Sequence, residues 1–223
     1  LIPQLSYRLE FPHPHLADEN GIVAFGADLN PTRVMLAYRN GIFPWYNAGD
    51  PILWWSPDPR LVLYLDDLIV RKSLKKKLKQ FDITIDKAFD EVVHSCSKIS
   101  RVDQEGSWIL PEVEEAYSTL HALGHAHSIE AWQDDELVGG LYGVVVGGMF
   151  CGESMFSKRS DASKAALVAL VEHLKRADFK MIDCQIPTDH LKSLGAVEIS
   201  RDRFLQELAL LRDSDALFAL PAN

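Results

Sequence analysis

Cysteine is scarce in this chain: Cys96, Cys151 and Cys184 are the only three in 223 residues, and no two form a CxxC pair. So odd and sparse a set argues against both a disulfide framework and a zinc ribbon, and leaves reduced thiols that serve mostly as packing groups. No run of eighteen apolar residues occurs, and Leu1-Ile2-Pro3-Gln4-Leu5 lacks the charged, apolar and small-residue regions of a secretion signal. A cytoplasmic protein without a membrane partner is expected. The first residue is Leu rather than Met, which points to processing or trimming. Internal repeats, low-complexity segments and the HExxH metal signature are missing as well.

What is present is ordinary in bulk. With 47% hydrophobic and 25% charged residues, the chain can bury a core of one or two domains. A formal net charge of -9 and a pI near 5.3 speak against wholesale nucleic-acid binding. That average conceals a dense basic run, Arg71-Lys72-Ser73-Leu74-Lys75-Lys76-Lys77-Leu78-Lys79. A solvated amphipathic helix explains Leu74 and Leu78, four apart, but not so much lysine, for which phosphate binding is the competing reading.

The first sixty residues are rich in proline and aromatics and predict short helices at best, one capped by Asp28-Leu29-Asn30-Pro31 and ending near Gly41. Trp45, Trp54 and Trp55 fall between prolines, a setting that predicts rigid loops rather than strand or helix. Such loops plug cores, and they also stack on bases. From Arg60 the texture alternates. Leu61 to Leu65 reads as a strand, Ser73 to Gln80 and Asp86 to Ser97 as helices, and a polar loop with Gly106 precedes a helix from Pro111 to Gly124. Ala126 to Trp132, Leu137 to Val146 and Met149 to Phe156 read as consecutive antiparallel strands joined by hairpins. A helix over 161–177, a strand from Met181 to Ile186, a short helix, a last strand and a helix near Arg203 to Arg212 complete the chain.

Two strands carry polar groups that a core would not choose. Gly152-Glu153-Ser154 interrupts an apolar run; a β-bulge or an edge strand facing water is the purely structural alternative. Alternation along Met181-Ile182-Asp183-Cys184-Gln185 puts Asp183 and Gln185 on one face and turns Cys184 away from them, which makes Cys184 an inert packing thiol. His121, His125 and His127, with Glu130 nearby, invite a metal reading. Gly124 splits them between two elements, so no metal site is assigned. Three antiparallel strands, a helix and a strand suggest the acyl-CoA N-acyltransferase (GNAT) scaffold. Its phosphate-cradling glycine loop is absent from Phe156-Ser157-Lys158-Arg159-Ser160-Asp161, so the scaffold fits and the CoA site does not.

Several blocks together resemble the leucyl/phenylalanyl-tRNA protein transferase family: Gly41-Ile42-Phe43-Pro44-Trp45, Trp54-Trp55-Ser56-Pro57-Asp58-Pro59-Arg60, Leu123-Gly124-His125-Ala126-His127-Ser128, Gly139-Gly140-Leu141-Tyr142-Gly143, Phe150-Cys151-Gly152-Glu153-Ser154-Met155-Phe156-Ser157 and Ile182-Asp183-Cys184-Gln185. They span about residues 20 to 196. The resemblance implies an α/β (α+β) protein with a small N-terminal domain, 1–62, that brings aromatic loops to an adenosine site. A GNAT-like catalytic domain, 63–223, would follow, with a mixed, mainly antiparallel sheet flanked by helices.

It implies transfer of Leu or Phe, with Met as a further donor, from aminoacyl-tRNA to proteins beginning with Arg or Lys, by a monomer without a cofactor. Asp183, Gln185 and Glu153 are then catalytic, with the Gln185 amide hydrogen-bonded to Asp183. Trp45 would stack on the terminal adenine with Tyr38 and Trp108 near it, and Tyr117 and Ser154 would belong to the same substrate site. Leu141, Phe150 and Leu170 would line the side-chain pocket; Leu170 stands where a larger aromatic is expected. Arg71, Lys72, Lys75, Lys76, Lys77 and Lys79 would track the tRNA backbone. A CoA-dependent acyltransferase and a noncatalytic tRNA-binding module are the alternatives.

Overall fold

The protein is described by a computed structural model over residues 1–99 and 107–218, so the loop expected at Gly106 lies outside the described residues. The N-terminal part forms a four-stranded sheet in the order β1 (Gln4–Leu5), β2 (Ile22–Gly26), β4 (Leu53–Trp55), β3 (Phe43–Pro44), with α1 (Pro31–Arg39) between β2 and β3. Asn30 caps α1 by accepting from the Thr32 N–H at 3.0 Å, and Pro31 supplies the first helical position.

Prolines and tryptophans do not prevent strand formation here, contrary to expectation: Trp54 and Trp55 lie within β4. The reason is tertiary. Trp54 is fully buried against this sheet and its indole N–H bonds the Gly26 carbonyl at 2.9 Å, so packing outweighs the local disorder that flanking prolines predict.

A seven-stranded sheet holds the rest. In chain order its elements are β5 (Arg60–Tyr64), α2 (Lys72–Leu78), β6 (Asp82–Ile85), α3 (Phe89–Ser97), α4 (Pro111–Ala122), β7 (Ala126–Gln133), β8 (Glu136–Val146), β9 (Met149–Ser157), α5 (Ala162–Arg176), β10 (Met181–Gln185), α6 (Asp189–Lys192), β11 (Val197–Ile199) and α7 (Arg201–Leu211). The strand order is β11-β5-β10-β9-β8-β7-β6, and every adjacent pair is antiparallel except β9–β10. That is the mixed, mainly antiparallel sheet expected. Strand β6 is not legible in the sequence, and α3 starts at Phe89 rather than Asp86, which sits in a left-handed turn at φ 55°.

One face of the sheet packs on α3, α4 and the N-terminal sheet through residues such as Val92, Tyr117, Val144 and Trp54. The other packs on α5 through Leu63, Phe150, Leu170 and Ile182. The exceptional parallel seam therefore runs through the middle of a two-sided core.

Candidate active site

Strands β9 and β10 pair at Met149 with Met181, Phe150 with Ile182 and Cys151 with Asp183, and pairing goes no further. A cavity of about 460 Å³ opens where the two strands part. Its mouth is built by Phe43, Pro44 and Trp45, and Trp45 is held there by an N–H···O bond from the Trp55 indole to its carbonyl. Trp108 adds a second aromatic wall, while Leu141, Phe150, Leu167 and Leu170 make the apolar floor.

The polar end comes from two backbone irregularities. Tyr142 pairs with Ser154 and Gly143 with Gly152, so Glu153 is the extra residue of a β-bulge and its side chain leaves the strand's regular alternation. On the facing strand the register shifts between Asp183 and Gln185, and Gln185 adopts φ 63°. The bulge named as the structural alternative is thus real, and it is also what aims the carboxylate.

Glu153 is nearly buried, at 9% exposure. It accepts from the Gln185 side-chain amide at 2.9 Å and from the Tyr117 hydroxyl at 2.9 Å, and Tyr117 in turn is hydrogen-bonded to Tyr38. Burial pushes the Glu153 carboxyl up to about 7, against the opposing pull of those hydrogen bonds. Burial also drives the Tyr38 and Tyr117 hydroxyls well above the usual phenol range.

One expectation about β10 is corrected. The Gln185 side-chain amide bonds Glu153, not Asp183; Asp183 instead accepts the Gln185 backbone N–H at 3.0 Å and a two-pronged contact from Arg60. Gln185 and Cys184 both line the cavity, whereas Asp183, 1% exposed, lies behind it.

The structure therefore gathers Trp45, Trp108, Leu141, Phe150, Glu153, Ser154, Leu170 and Gln185 around one space. Tyr38 and Tyr117 join through hydrogen bonds rather than as lining; Tyr38, expected near the adenine site, is 1% exposed inside the core. Sequence reasoning missed Leu167, Ile182 and His190 in the wall, and the role of Arg60. A signal for Arg60 was available: an arginine opening an apolar strand needs a buried acid, and Asp183 was already conspicuous.

Comparison with known proteins decides the family. The leucyl/phenylalanyl-tRNA protein transferase family matches residues 62–209, and its N-terminal domain matches residues 27–58. The chain belongs to this transferase family. Relatives named leucyl/phenylalanyl-tRNA protein transferase include one from Sulfurimonas denitrificans, 56% identical over 93% of this chain and 92% of that protein. Another, from Flavobacterium johnsoniae, is 53% identical over 90% and 95%. A solved GCN5-related N-acetyltransferase from Kribbella flavida overlaps 74% of this chain and 59% of its own, at 9% identity and a TM-score of 0.40, too loose to bear on fold or chemistry.

The remaining candidates of this aminoacyltransferase divide. Arg71, Lys72, Lys75, Lys76 and Lys79 are exposed and form no ion pair among the described residues, but Lys77 is held 2.8 Å from Asp161 at the head of α5. Cys151 and Cys184 have thiols pushed up by burial, the opposite of an activated nucleophile. His125 stands apart, beside Arg39 and Val145. Asp86, His121 and His127 bring possible ligand atoms within 4.8 Å of one another. In the structure these groups are occupied by hydrogen bonds: His127 meets Asp86 at 2.7 Å, and His121 meets the Ala126 carbonyl at 2.8 Å. No helix among the described residues is long and apolar enough to cross a membrane.

Proposed function

We propose that the β9–β10 cavity is where the donor ester and the acceptor amine meet, and that the acceptor is a protein beginning with Arg or Lys, marked in this way for degradation through the N-degron pathway. The reading is carried by Glu153, whose carboxylate takes one hydrogen bond from Gln185 and one from Tyr117 at the polar end of an apolar pocket. Donors are Leu and Phe, with Met third. The protein acts as a cytoplasmic monomer without a cofactor. Residues 1–62 supply the aromatic wall for the 3′ adenosine and residues 63–223 the reacting centre, with Trp45 stacking on adenine and Trp108 beside it.

The step is ester aminolysis. The acceptor nitrogen forms a bond to the carbonyl carbon, the bond to the ribose oxygen breaks, and one proton moves from the amine to that oxygen. An N-terminal amine has an unperturbed pKa of about 7.7 to 8.0, so a useful fraction is already neutral at neutral pH. A glutamine is a poor base. In this reading the Gln185 carbonyl orients the amine while its amide is held by Glu153, which receives the proton. Positioning supplies most of the acceleration, for which about 7 to 11 kcal/mol is available. The exposed lysines of α2 grip the tRNA backbone without reading its sequence.

Labelled Leu-tRNA incubated with a peptide beginning with Arg is the test. Label is expected on the peptide, and none when acetyl-CoA replaces the tRNA. Equal transfer to peptides beginning with Arg, Glu and Gly would remove the acceptor assignment.

A further inference from the structure

Arg60 opens β5 and is 1% exposed, so its charge is carried into the joint between the two sheets. A buried guanidinium requires partners for its N–H groups. Nε and one terminal nitrogen contact the two oxygens of Asp183 at 2.8 and 2.7 Å, and the other reaches the Gly41 carbonyl at 3.2 Å. The guanidinium carbon also lies over two rings, 4.8 Å from the centre of Phe43 and 4.3 Å from that of Phe204.

These contacts lead in two directions. The Asp183 oxygen bonded to Arg60 Nε also accepts the Gln185 backbone N–H, and so pins a left-handed turn that an L side chain disfavours. Gly41 and Phe43 lie on the segment that continues into Pro44 and Trp45, in the cavity mouth. We infer that Arg60 is a positioning residue that sets both subsites at once: the Gln185 amide through Asp183, and the aromatic wall through Gly41 and Phe43. The inference rests on the proposed roles of Gln185 and Trp45.

The experiment uses the full chain with Arg60→Lys and Arg60→Ala, alongside Asp183→Asn, Gln185→Ala and Trp45→Ala, each checked for folding by circular dichroism and Tm. kcat and KM are measured with an aminoacyl-adenosine donor. Lysine keeps the charge but cannot fork between two oxygens. Arg60→Lys should lower kcat on the order of 100-fold and raise donor KM on the order of 10-fold together, since misplacement of about 1 Å has effects of this size. Asp183→Asn should lower kcat alone, and Trp45→Ala should raise KM alone. Methylguanidinium should restore both parameters in Arg60→Ala, and neutral methylurea should not. Loss of kcat alone in Arg60→Lys, or activity that merely follows the folded fraction, would overturn the coupling. Unchanged kinetics in Gln185→Ala and Trp45→Ala would instead remove the site roles, and the inference with them.

Discussion

Glu153 is a carboxyl whose folded environment favours its neutral form, and this has consequences for both stability and rate. Its pKa rises from 4.5 to about 7 on folding, chiefly through burial. Between those values the folded protein holds a proton that the unfolded chain has released. The associated stability is complete below about pH 4.5 and is lost as pH rises through 7. Two and a half pKa units correspond to about 3 kcal/mol at most. Glu153→Gln, which cannot ionise, should therefore gain on the wild type by up to that amount between pH 5 and pH 8, read from paired denaturant titrations. In the proposed mechanism the wild-type rate climbs through pH 7 as Glu153 ionises. Glu153→Gln should flatten that climb and lower kcat by about 10²- to 10⁴-fold, the usual contribution of a general base. A variant that keeps the wild-type pH profile would exclude Glu153 as proton acceptor.

At the scale of elements, the bulge in β9 depends on its neighbour in β8. A Cβ on Gly143 would stand 2.2 Å from the Cys151 carbonyl oxygen and 2.4 Å from the Phe150 ring, so only glycine lets the two strands close beside the extra residue. Gly143→Ala should cost about 1 to 3 kcal/mol of stability through forced backbone shifts, seen as a lower Tm. The basic helix α2 makes a different prediction. Lys75 and Lys76 in it and Lys79 at its C-terminal cap are exposed and form no ion pair among the described residues, whereas Lys77 is paired with Asp161. Changing those three to Gln should weaken intact tRNA binding and reduce the slope of log K against log salt by about 2 to 3, and leave an aminoacyl-adenosine donor unaffected. Equal loss with both donors would make the helix structural. These elements also show what a sequence can carry. Glycine and charge out of place marked Glu153, and lysine density marked α2. Alternation did not foresee the left-handed residue at Gln185, and its backbone N–H bond to Asp183 has no signature in residue order.

Across the whole molecule, the pocket joins α5 to the far side of the sheet, and Leu170 sets part of its depth. In the proposed reading, a leucine where an aromatic was expected should leave room that favours Phe over Leu, although a methylene's worth of fit gives only about 1 to 3 kcal/mol. Leu170→Phe should shift preference toward Leu without abolishing transfer; competition between Leu-tRNA and Phe-tRNA measures the ratio, and an unaltered ratio would place Leu170 outside the selecting wall. The change of texture at Arg60 marked where the seven-stranded sheet begins, but not the N-terminal sheet, where loops and short helices were expected, nor a contact across the join such as Arg60 reaching the Gly41 carbonyl. The chain of hydroxyls behind Glu153 has one further consequence. Tyr117 is fully buried and Tyr38 is 1% exposed, so the chain ends blind in the core. In the proposed mechanism, with both substrates filling the cavity, a proton given to Glu153 would find no hydroxyl chain to bulk water among the described residues. It would return to the departing ribose oxygen, and the chemical step would then close without exchanging a proton with the medium. Raising buffer concentration tenfold at constant pH and ionic strength should accordingly leave kcat unchanged, whereas a buffer-dependent rate would reveal a leak.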